Sequence, residues 1–124
     1  MGLERVVRFP IEETPSWEEI RRQLRRVGET PVLRLIDGLP AFPDEEPTSD
    51  WKELRIAMAA GMVTIRRSTD SVTCTVWGNA DSALEVAWNR VIWACAAAGD
   101  GLIDTPQGPV TAAVFARAAG FSPE

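Results

Sequence analysis

The clearest periodicity in the chain lies between residues 53 and 77, where apolar and polar positions alternate. In "ELRIAMA", Leu54, Ile56 and Met58 share one parity, while Glu53, Arg55 and Ala57 share the other. "MVTIRR" repeats the pattern with Val63 and Ile65 against Thr64 and Arg66, and "VTCTVW" with Val72, Cys74 and Val76. A period of two belongs to a strand with one buried face. The separators Ala60-Gly61 and "STDS" are short, so the spacing predicts three consecutive strands in an antiparallel meander. Two further strands are predicted upstream: "LERVVRF" (3–9), with Val7 and Phe9 inward and Arg8 outward, and "PVLRLIDG" (31–38).

Elsewhere the period lengthens to that of a helix. In "TPSWEEIRRQLRRVG", Ser16 and Glu19 have capping-box spacing, and Trp17, Ile20, Leu24 and Val27 form one stripe that Gly28 terminates. Residues 82–98 predict a second helix whose sheet-facing stripe is Leu84, Ala87, Trp88, Val91, Cys95 and Ala98. Thr111 is placed to cap a last, short helix that Gly120 ends, and Leu102 and Ile103 support at most a short strand before it. The order β-α-β, meander, α, short β, α predicts an α+β two-layer sandwich: a mainly antiparallel sheet of about five strands, two main helices on one face, and a short C-terminal helix. Residues 1–124 read as a single domain, interrupted by a Pro-rich acidic loop at about 37–50.

The corner "VTCTVWGNADSALEV" (72–86) joins a strand to a helix through a glycine, an arrangement that elsewhere holds phosphate. Here Asp81 and Glu85 already occupy the helix entrance, and Ser82 and Glu85 have capping-box spacing. Carboxylates there satisfy the exposed N–H groups and repel an anion, so the corner reads as a cap.

Composition narrows the chemistry. A content of 45% hydrophobic and 25% charged residues is that of a globular chain, and the net charge of −5 disfavours general attraction to nucleic acid or anionic membranes. Histidine and tyrosine are both absent. That removes the commonest general base and the commonest metal ligand, so no cofactor, no metal site and no catalytic residue is expected. The chain has no signal peptide pattern and no apolar run long enough to span a bilayer, and Cys74 and Cys95 lack metal or CxxC spacing. Two reduced, buried thiols in a cytoplasmic protein are expected.

Three surfaces stand out. The helix at 82–98 is apolar nearly all round, and Val86, Trp93 and Ala97 lie opposite its sheet-facing stripe. Either the last helix, with Val114, Phe115 and Ala118, packs over Trp93, or the three residues form a contact patch for a partner or a second copy. Phe42, between Pro40 and Pro43, is a candidate anchor beside Asp44, Glu45, Glu46 and Asp50 in the acidic loop. Arg8, Arg34, Arg55 and Arg66 point away from the inferred core, one per strand, with Trp77 at the same parity on the fifth. If no helix covers that face, it can bind a small anion, single-stranded nucleic acid or an acidic protein. The arginines at 21, 22, 25 and 26 read instead as a solvated face paired with Glu18 and Glu19. Asp100 and Asp104, with Asp37, are candidate oxygen ligands for Mg²⁺ or Ca²⁺.

The expectation is therefore a small non-enzymatic module for protein–protein association or homodimerisation. An anion or single-strand binder using the Arg-rich sheet face, and a metal-assisted carboxylate enzyme using Asp100 and Asp104, are the alternatives.

Overall fold

The structure, a computed structural model, describes residues 2–10 and 14–123. The chain runs β1 (Leu3–Arg8), α1 (Trp17–Arg26), β2 (Val32–Ile36), β3 (Leu39–Pro40), β4 (Glu53–Met58), β5 (Gly61–Arg67), β6 (Ser71–Val76), α2 (Ser82–Gly99), β7 (Leu102–Thr105), β8 (Gly108–Val110) and α3 (Ala112–Ala119). The fold is α+β, and all the strands join one antiparallel sheet in the order β3-β2-β4-β5-β6-β1-β7-β8. Among the described residues the sheet has eight strands where the sequence predicts about five. The additional members are short: β3 has two residues, β7 four and β8 three, too few to display a period of two. β3 even arises inside the Pro-rich segment expected to hold no regular element.

Both edges of the sheet end in such a strand, and each carries a proline, Pro40 and Pro109. A proline withholds the N–H that a further strand would need, which protects an edge from pairing with another chain.

The meander forms as its alternation requires. Leu54 pairs with Ile65 and Ile56 with Val63 across β4 and β5, and Ile65 pairs with Cys74 across β5 and β6. These residues, with Val7, Val72, Val76 and Ile103, are completely buried on the helix-bearing side. Each full burial of such a side chain is worth about 1.5–3 kcal/mol. α2 packs on β1, β5, β6 and β7, while α1 and α3 both close against α2. The helical part is thus organised about α2 and is not the plain second layer that a two-layer sandwich implies.

The helix ends follow local chemistry. Ser16 and Glu19 form the expected capping box. Asp81, not Ser82, is the N-cap of α2: its Oδ1 accepts from the Leu84 N–H at 2.9 Å. The 72–86 corner is therefore a carboxylate-capped turn. Asp81→Ala is expected to cost about 1 kcal/mol of stability; a urea midpoint unchanged from that of the parent protein would refute this. Thr111 caps α3, and Gly120, at φ 81°, closes it while the Phe121 N–H bonds back to the Ala116 carbonyl.

Candidate functional site

Among the described residues no helix packs on the second face of the sheet. Its residues line up in rows across the strands. One row runs Leu35, Arg55, Thr64, Thr75, Glu4 over β2, β4, β5, β6 and β1; the next runs Glu53, Arg66, Thr73, Val6 from β4 to β1. Val32, Ala57 and Met62 form an apolar end. Thr64 and Thr75, in the centre, are only 2% exposed, so the long side chains around them lie flat over the sheet. Thr75 Oγ1 has no hydrogen-bond partner among the described residues.

The structure brings together part of the expected arginine set. Arg55 and Arg66 are diagonal neighbours on β4 and β5, and the Arg66 guanidinium lies 5.6 Å from the centroid of the Trp77 ring, which is 54% exposed. Arg34 is the extra residue of a β-bulge: Leu33 pairs with Ile56 and Leu35 with Arg55, so Arg34 sits beside Arg55 at the side of the face. Arg8 stands apart, beyond β6, and is paired with Asp104 at 2.8 Å. Arg66 is paired with Glu53 at 3.2 Å. Arg55 has no carboxylate partner among the described residues, and its Nε is buried without an acceptor. Exposed pairs such as Arg66–Glu53 are worth little and exchange partners at low cost.

The expected patch on α2 does not exist as one surface. Trp93 is buried, with the edge of Phe121 against its ring at a centroid separation of 6.0 Å and the Arg26 guanidinium 5.6 Å from its centroid. Phe121 reaches it because the Gly120 turn folds the chain back after α3. Ala97 is partly buried in the wall of a cavity that Trp93 also lines, and Val86 is exposed. In the folded chain Trp93 is core, covered by the segment that follows α3.

The acidic loop is held at both ends. Asp37 adopts a left-handed φ of 50°, and its Oδ1 accepts from the backbone N–H groups of Lys52 (2.7 Å) and Glu53 (2.8 Å). Arg67 stacks on the fully buried Trp51, 4.2 Å from its ring centroid, and donates to the carbonyls of Trp51 (2.9 Å) and Ser49 (2.6 Å). Burial lowers the Arg67 pKa from its usual range, with nearby Asp50 and Asp37 opposing the shift. Asp50 is lowered, mainly by the Thr48 hydroxyl that donates to it at 2.6 Å. Glu46 pairs with Arg21 of α1 at 2.9 Å. Phe42 stays 74% exposed, beside Leu39 at 70%.

The other expected chemistry is dispersed. Asp104 is occupied by Arg8, Asp100 is the left-handed C-cap of α2, and Asp37 caps backbone groups. Among the described residues no three carboxylates, cysteines or histidines are grouped to hold a metal ion. Cys74 and Cys95 are free, buried and 3.9 Å apart; the hydrogen bond with Cys74, together with burial, pushes the Cys95 thiol well above its ordinary range. Such a thiol is protonated and unreactive. Among the described residues no helix is long and apolar enough to cross a membrane.

Sequence reasoning passed over the inward arginines. Arg5 has the parity of Val7 and Phe9, and Arg67 that of Val63 and Ile65, so the alternation already aimed two cations at the core side. Arg90, on α2, is likewise half-buried and pairs with Glu29 at 2.6 Å. No protein family, no characterised protein and no solved structure matches this chain.

Proposed function

We propose that this chain is a small, single-domain interaction module that associates with a protein partner or a second copy through the helix-free face of its sheet. The observation that carries this reading is the face itself. It combines a half-exposed tryptophan and an arginine that has no carboxylate partner among the described residues with the apolar Val32, Leu35, Ala57 and Met62. Tryptophan and arginine are the residue types that dominate binding energy at protein interfaces, and a mixed apolar and cationic surface fits a partner that presents acidic and apolar groups together. The reading keeps the expected role in association and moves its contact residues from α2 to the sheet. The free thiols are in keeping with a reducing compartment such as the cytoplasm.

Native mass spectrometry of the purified protein, from low to moderate salt, tests this reading. A dimer or a co-purified protein is expected. Trp77→Ala and Arg55→Glu should each weaken that association about tenfold, or ~1.4 kcal/mol, with little loss of stability. If both variants associate as the parent does, the sheet face is not the contact surface. A monomer that instead carries a small anion or an oligonucleotide, lost as salt is raised, would identify the same arginines as a ligand surface.

A further inference from the structure

The helix-bearing side of the sheet holds a second cationic feature, separate from the open face. Arg5 lies in β1, opposite Cys74, and projects toward α2, where its guanidinium stacks 5.3 Å from the centroid of the Trp88 ring. One of its N–H groups, on Nη1, donates to the backbone carbonyl of Asp104 at 3.1 Å; its Nε is buried and has no partner among the described residues. The carboxylate of Asp104 itself is bound to Arg8, whose parity on β1 is opposite to that of Arg5. Among the described residues no carboxylate pairs with Arg5. A partly buried, uncompensated guanidinium is costly, and a protein that keeps one generally has an anion to meet it.

Arg5 lines a cavity of about 400 Å³ between α2, α3 and the β7–β8 hairpin. Asn89 and Gln107 supply amide groups to its wall, and Val110, Val114 and Phe115 supply apolar surface. The Thr105 hydroxyl is already spent within the hairpin on the Gly108 carbonyl. We propose that this cavity binds a small monocarboxylate with an apolar tail: the carboxylate on the Nη end of the Arg5 guanidinium, since its Nε is closed off, the amides completing its hydrogen bonds, and the tail against Val110, Val114 and Phe115. One guanidinium balances one negative charge and pairs with a carboxylate through two parallel hydrogen bonds. A phosphate dianion would leave a charge unmatched. A neutral ligand would leave Arg5 as it is. The volume is that of an ordinary small-molecule pocket.

Titration of the full-length, ¹⁵N-labelled protein with sodium hexanoate tests the site, with hexanamide as the neutral isostere. Saturable shifts of the Arg5 Nε–H and of the Asn89 and Gln107 side-chain amides are expected below 10 mM, on the order of ordinary weak-ligand affinities. Hexanamide and the variant Arg5→Gln should each bind at least about tenfold more weakly. Absence of saturable shifts, or equal binding of hexanoate and hexanamide, overturns the proposal. Because Arg5 also supports Trp88, a second variant is needed. Val114→Trp, at a wall position that is 44% exposed, fills the cavity and leaves Arg5 in place. It should abolish hexanoate binding in a folded protein; undiminished binding there overturns the site as well.

Discussion

Trp93→Ala is expected to lower the unfolding free energy by about 3–5 kcal/mol, the usual cost of deleting a buried tryptophan. The indole is 3% exposed and is enclosed by Phe121 and Arg26. Its removal opens a void between α2 and the tail of α3 that neither helix can close, because Val91 to Ala96 are all already packed. The cost is a fraction of total stability large enough to shift a urea or thermal midpoint plainly. Trp77→Ala provides the contrast. That ring lies on the open face, so its loss should change stability by less than about 1 kcal/mol while weakening association. The two substitutions therefore separate core from contact surface. A Trp93→Ala protein of unchanged midpoint but impaired association would reverse the assignment and return the contact to α2.

Arg67→Met is expected to cost about 2–3 kcal/mol, since it removes two charge-assisted hydrogen bonds and a cation–π contact at once. The effect should be local. Arg67 is the strand residue that ties the carbonyls of Ser49 and Trp51, so amide hydrogen exchange should accelerate across residues 42–51 and change little in β4 to β6. Arg67→Lys should recover only part of the loss, because an ammonium cannot span two carbonyls and also stack on Trp51. Unaltered exchange of the loop in the methionine variant would show that Asp37 and the Arg21–Glu46 pair suffice to order it.

The structure also explains why an acidic, Pro-rich stretch is ordered at all. A connection of this length pays a large conformational entropy unless cross-links subdivide it. Asp37 at its start, Glu46 at its middle and Arg67 at its end do so, and the burial of Trp51 anchors the return into β4. At the tip, the Phe42 N–H donates to the Glu45 carboxylate and the Phe42 carbonyl accepts from the Glu45 N–H, which leaves the Phe42 ring exposed.

Much of this arrangement is written locally. The meander of β4, β5 and β6 follows from an alternation that any slip by one residue would destroy, because a shifted register would expose Leu54, Ile56 and Val63 together. The helix boundaries follow from Ser16, Gly28, Thr111 and Gly120, whose roles depend only on neighbours within a turn. The nearly all-apolar circumference of α2 likewise implied that it would be covered on more than one side, and it is.

Other features depend on residues far apart in the chain. β3 and β8 exist because a longer strand lies beside each to be paired; two or three residues have no period of their own. The order β5-β6-β1-β7 sets Arg8 apart from Arg66 and gives it to Asp104, nearly a hundred residues away. The bulge at Arg34 appears only where β2 meets β4. Trp93 was a surface or a core residue according to where the last helix and Phe121 would fall, which the helix at 82–98 does not encode. Arg5 shows both halves of the matter: its parity places it inward, but only the packing of α2, α3 and the β7–β8 hairpin decides that it meets a cavity and, among the described residues, no carboxylate. Alternation and capping are local free energies, resolved within a few residues. Pairing partners, coverage and charge compensation are set by which surfaces the whole chain brings together.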